Sequence, residues 1–225
     1  MITSINVNPD TFESKVFFFN HLDLTPFTER VVPLFGPNGV GKSTLISAIE
    51  SQSVEIIKDK PTHLYCYSNS RDNFKNRQPR SYMESFDPEY VSARFDAQRV
   101  SEGQSIIYSM FDLLEMLRNT KVFERIHGKD LLILLDEIDS GMSIDNIDTT
   151  MRKIKNLVRM RSDLQVIFSF NSPRVLKHFS KVLSMYDGSV LEMHTDEDML
   201  KEIQLHKKEF DKIRKTSKGR PKIYD

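Results

Sequence analysis

The chain has 225 residues, 39% hydrophobic and 28% charged, a length and composition that suit one globular domain with a full core. Its 32 basic and 32 acidic side chains cancel, so a nucleic-acid or membrane partner would have to be met by a local patch. The single Cys66 excludes an intrachain disulfide and a cysteine-based zinc cluster, the opening MITSINVNPDTFES lacks a signal-peptide pattern, and no apolar run reaches membrane-span length; the expectation is a cytoplasmic protein with no membrane partner.

Short strands are predicted at Val16 to Phe19, around Leu22 to Leu24, and at Arg30 to Phe35, where RVVPLF runs into a Gly-Pro turn. From Gly41 the spacing turns helical, with Leu45, Ile46 and Ile49 on one face. Thr62 to Tyr67 is aromatic and strand-prone. Residues 68 to 98 are polar and read as a loop with a small helical lobe, followed by an amphipathic helix from Ser105 to Asn119. The run LLILL, Leu131 to Leu135, reads as a strand buried on both faces, as in a parallel sheet. A helix from Ile144 to Met160 and a buried strand from Leu164 to Phe170 come next. Pro173 then opens a short helix. Lys181 to Tyr186 and Ser189 to Met193 flank Asp187-Gly188 as a hairpin candidate. Strands alternating with helices predict an α/β fold. Residues 1–195 form the expected main domain, with the polar lobe at about 68–120, and 196–225 a charged helix and basic tail.

One stretch carries specific chemistry. Gly36-Pro37-Asn38-Gly39-Val40-Gly41-Lys42-Ser43-Thr44 matches G-x-x-x-x-G-K-[ST], with an apolar strand before it and a helical pattern after it. Such a loop curls so that successive N–H groups face phosphate oxygens, and the helix that follows adds its positive end. The pattern assigns Lys42 to the β and γ phosphates and the Ser43 hydroxyl to Mg²⁺. The second half of such a site is a carboxylate where a buried strand ends. LLILLDE supplies Asp136 as a Mg²⁺ residue and Glu137 to orient or deprotonate an attacking water.

Between these two halves stands VSEGQ, Val100 to Gln104. The motifs in this order resemble the ATP-binding-cassette (ABC) ATPase superfamily, from about Val16 to Met193. The resemblance implies a P-loop NTPase fold: a mostly parallel sheet flanked by helices, an N-terminal antiparallel β subdomain and a short helical lobe. It implies ATP and Mg²⁺ as cofactors and an ATP-dependent homodimer closed head to tail. In that family the signature motif, usually LSGGQ, covers the partner's nucleotide, which here assigns Ser101, Gly103 and Gln104. IDSGMS, Ile138 to Ser143, matches the D-loop that crosses the dimer interface. YDGSV, Tyr186 to Val190, matches the strand-turn-strand after the last core strand.

The departures refine the resemblance. Glu102 replaces a signature glycine, and IDSG stands where transporters usually have PTSA. DEIDSG looks more like the soluble DNA-maintenance branch, the RecF, OLD and SMC group. Only 58 residues separate Lys42 from Ser101, with no heptad run among them. FSFNSP aligns with the switch segment TTHSP, so Asn171 stands in place of the switch histidine. An amide donates a hydrogen bond but carries no proton charge, which implies slow hydrolysis or ATP used mainly to hold a closed dimer. Gln78 is a candidate Q-loop residue. Phe18, Phe19 and Phe27 are open either as adenine platform or as core.

Arg71, Lys75, Arg77 and Arg80 form a basic cluster that reads equally as a nucleic-acid face or a solvated loop. Eight Lys or Arg between Lys207 and Lys222 make the tail a candidate surface for DNA or a partner protein, with KGRPK resembling an AT-hook core; a solubilising tail is the plainer reading. Two alternative functions remain: the ATP-binding subunit of a membrane transporter, and a slow or non-hydrolysing regulatory module for a nuclease or toxin.

Overall fold

The computed structural model describes residues 1–8, 19–68 and 129–217, with side chains in the last helix described to residue 207. The polar lobe, the signature residues Ser101, Gly103 and Gln104, Gln78, Phe18, the cluster at 71–80 and the end of the tail lie outside the described residues.

A six-stranded sheet forms the centre, in the order β5-β6-β7-β3-β8-β9. Its members are β3 (Val31–Phe35), β5 (Thr62–Ser68), β6 (Asp130–Asp136), β7 (Leu164–Ser169), β8 (Lys181–Ser184) and β9 (Val190–Glu192). The first five run parallel, and β9 returns antiparallel to β8 through the predicted turn. All residues of β3, β6 and β7 are buried, which is why LLILL carries no polar alternation. Pro33 has no N–H to give the sheet. Pairing with β8 begins one residue later, at Leu34.

Helix α1 (Lys42–Glu50) buries Leu45, Ile46, Ala48 and Ile49 and packs against β5, β6 and β7. Helix α2 (Ile144–Met160) has the predicted bounds. It buries Ile147, Met151, Ile154, Leu157 and Val158 on one face at helical spacing. Pro173–Lys177 is a 3-10 turn rather than an α-helix, and the Ser172 side chain caps it by accepting from the Arg174 N–H. Helix α3 (Asp196–Ser217) packs Met199 and Ile203 against the core.

The antiparallel sheet has the order β2-β1-β4, with β1 at Ile2–Asn6, β2 at His21–Asp23 and β4 at Glu55–Lys58. Phe19, within the first predicted strand, lies outside any strand. Gln165 joins the two sheets. Its side-chain amide accepts from the Ile2 N–H at 2.9 Å and donates to the Ile2 carbonyl at 3.1 Å, as a paired strand would. One apolar cluster runs through both sheets.

Candidate phosphate-binding site

The loop Gly36 to Gly41 leaves the C-terminal end of β3 and enters α1, with β6 and β7 ending beside it. This is the edge of an open α/β sheet where ligands bind. Gly36 and Gly39 have φ of +150° and +84°, conformations that disfavour side chains. A methyl at Gly36 would stand 2.6 Å from Val40 Cγ1, so close packing also fixes that glycine. At Gly39 a methyl would meet nothing within 4 Å, so it would project into open space beside the loop.

Lys42 is only 6% exposed. Its Nζ reaches back over the loop, donating to the Gly36 carbonyl at 2.5 Å and the Pro37 carbonyl at 3.3 Å. Burial pushes its ammonium below the ordinary lysine range, opposed by the carboxylates of Asp139, Glu137 and Asp136. The loop and the end of β6 thus converge on one charge centre.

Ser43 Oγ donates to Asp136 Oδ1 at 3.0 Å, joining positions 93 residues apart. Sequence reasoning missed the third member. Ser169, fully buried at the end of β7, donates to the same Asp136 oxygen at 2.6 Å and accepts the Glu137 N–H at 2.7 Å. That contact holds Glu137 at φ +52°, where a non-glycine residue is strained. Strand-end position plus a hydroxyl was the available signal, and it is too common to single Ser169 out.

Ser43 and Asp136 offer hard oxygen donors, the chemistry that suits Mg²⁺ shared with phosphate. Among the described residues no group of three or more His, Cys, Asp or Glu forms a self-sufficient metal cage. Two protein oxygens beside an open glycine cradle therefore fit a cation that arrives with its phosphate ligand.

Asn171 follows β7 and is half-buried, and its N–H donates to Asp139 Oδ2 at 2.8 Å. Phe19 and Phe27 are core residues, each 5% exposed. Behind the site, the Met185 N–H bonds the Phe35 carbonyl just before the loop. The neighbouring Tyr186 ring stacks on His206 of α3 with centroids 4.3 Å apart. Burial, with Glu202 nearby, pushes its phenol up to about 12.

Fold and site together define a mixed α/β chain with a P-loop between a central parallel strand and its helix. No family model matches the chain, and no curated protein matches it. Among solved structures it is similar to a nucleotide-free ATP-binding cassette from an ABC transporter, at 15% identity over 90% of this chain and 93% of that one, TM-score 0.49. It is also similar to cbiO1 from Clostridium perfringens, part of the ABC transporter complex cbiONQ, at 17% identity over 80% and 82%, TM-score 0.44. A third likeness is to a chain of the complex of archaeal ribosomal stalk protein aP1 and archaeal ribosome recycling factor aABCE1, at 13% identity over 82% of this chain and 38% of that one, TM-score 0.46. Among the described residues no helix is long and apolar enough to cross a membrane.

Proposed function

We propose that the chain is an ABC-type ATPase that binds ATP with Mg²⁺ and hydrolyses it slowly as a cytoplasmic head-to-tail dimer. The observation that carries this reading is the Ser43–Asp136 hydrogen bond, which brings the P-loop and the carboxylate strand end into one site around the buried Lys42.

The loop N–H groups from Gly36 to Thr44 receive the phosphates, and Lys42 exchanges the carbonyls of Gly36 and Pro37 for phosphate oxygens. The ammonium is already buried in the folded chain, so the exchange replaces one set of oxygen acceptors with another. Ser43 and Asp136 hold Mg²⁺, which when bound neutralises charge on the phosphates. Glu137 orients the water that attacks the γ-phosphorus and accepts its proton as the bond to ADP breaks. Asn171 donates a hydrogen bond to the γ-phosphate without a charge of its own. Positioning supplies most of phosphoryl-transfer catalysis, so a site completed by the partner's Ser101, Gly103 and Gln104 makes hydrolysis depend on closure.

The proposed setting is DNA maintenance or a phage or defence system, with the basic tail 207–222 as the contact to DNA or a partner protein. Asn171 at the switch position favours a second reading, a regulatory module that reads ATP without turning it over. A transporter subunit would use the same chemistry with a membrane partner. The test is light scattering on Glu137→Gln with and without ATP and Mg²⁺. A mass that doubles only with ATP, and not in Lys42→Ala, supports the dimer. A mass unchanged by ATP refutes an ATP-dependent homodimer.

A further inference from the structure

Resting on the ATPase reading, we propose that Asp139 is a positioning residue that clamps the switch backbone and so aims Asn171 at the γ-phosphate. Asp139 lies in the turn after β6, in the segment Ile138 to Gly141 that departs from the transporter PTSA pattern. Its carboxylate is 6% exposed. Oδ2 accepts two successive backbone N–H groups, Asn171 at 2.8 Å and Ser172 at short range. These partners are 32 and 33 residues away, on the segment that follows β7. A carboxylate taking two amides makes charge-assisted bonds, roughly twice as strong as neutral ones.

The other end of that segment is also tied down. Asp148 of α2 accepts from Arg174 Nε at 2.7 Å and from Arg174 Nη2, and meets His178 Nε2 at 2.9 Å. The segment from Asn171 to His178 is thereby tied to two carboxylates from two other elements, at its start through backbone N–H groups and further on through the Arg174 and His178 side chains. A neutral amide cannot compensate for poor aim with charge, so its contribution rests on preorganisation. The clamp supplies that preorganisation at the residue where a histidine would otherwise stand.

Asp139 Oδ1 is buried and has no hydrogen-bond partner among the described residues. Asp139 stands three residues beyond Asp136, so the clamp links the turn that follows the strand-end carboxylate to the segment after β7.

The experiment has three readouts on the full chain. Amide exchange by NMR, without nucleotide, should show the Asn171 and Ser172 N–H groups protected in the wild type and at least about tenfold less protected in Asp139→Ala. Asp139→Ala should lower kcat about 10- to 100-fold with KM for ATP nearly unchanged. Asp139→Asn, whose amide oxygen can accept the same two N–H groups, should recover most of that loss and serves where the alanine variant fails to fold. In an Asn171→Ala background, Asp139→Ala should cost less than about twofold more, because the effect runs through Asn171. Unchanged exchange, multiplicative effects with Asn171→Ala, or an asparagine variant as poor as alanine would each overturn the clamp. A wild type that neither binds nor turns over ATP overturns the parent reading instead, and the exchange data still decide the clamp.

Discussion

Ser169→Ala is the sharpest single perturbation of the site, because it removes one oxygen and almost no volume. The Ser169 hydroxyl is fully buried, donates to Asp136 Oδ1 at 2.6 Å and accepts the Glu137 N–H at 2.7 Å. Loss of the charge-assisted bond to Asp136 costs about 1.5–3 kcal/mol, and the orphaned Glu137 N–H costs about 1–3 kcal/mol. Asp136 keeps its bond from Ser43 and the turn can relax, so the lower half of both ranges applies and the sum is about 3 kcal/mol. The same change removes the anchor on the Glu137 N–H and so loosens the carboxylate proposed to orient the water. A misplacement of about 1 Å is worth roughly 100-fold in rate. Urea unfolding followed by circular dichroism should therefore show the stability loss, and phosphate release should show kcat falling about 100-fold with KM for ATP little changed. A loss under about 0.5 kcal/mol, in the range of a neutral surface change, with kcat intact would refute the claim that Ser169 organises Asp136 and Glu137.

Glu137→Gly separates strain from chemistry. Relieving φ +52° returns about 1–2 kcal/mol and the added glycine entropy takes back about 0.5–1 kcal/mol, so the variant should be slightly more stable in urea while turnover disappears. Asp148→Asn tests the far anchor of the segment after β7 through pH. Hydrogen bonds from Arg174 and then His178 hold the Asp148 carboxyl well below its ordinary 3.8. A depressed carboxylate stabilises the fold fully above the unfolded value and loses that contribution as pH falls below it. The wild type should therefore be more stable than Asp148→Asn near neutrality, with the gap in urea midpoint closing below pH 3.8. A gap independent of pH would contradict the ion-pair account.

The legible parts of the chain were those whose physics is local. LLILL announces a doubly buried strand, and the observed β6 extends it by only one residue at each end, to Asp130 and Asp136. The helix read at Ile144 to Met160 has the observed bounds of α2, with Ile147, Met151, Ile154 and Val158 on its buried face. The strands β1 and β4 were not legible. In β1 a register irregularity between Ile2 and Ser4 breaks the alternation, and in β4 Ile57 is exposed. The site divides in the same way. Lys42, Ser43, Asp136 and Glu137 follow from spacing, whereas Ser169 and Asp139 act on positions more than 30 residues distant, through backbone N–H groups as well as side chains. A backbone partner leaves no side-chain pattern to read. The strain at Glu137 was equally hidden, since nothing in DEIDSG marks a residue at positive φ.

The central claim is that ATP binds and is cleaved at the P-loop and strand-end carboxylates. The most direct measurement is steady-state phosphate release from ATP and Mg²⁺ by the wild type, Lys42→Ala and Glu137→Gln, with calorimetric titration of ATP·Mg²⁺ into each. The account predicts slow turnover in the wild type, tight binding without turnover in Glu137→Gln, and neither in Lys42→Ala. Equal turnover in all three proteins, or no binding to the wild type, would contradict it.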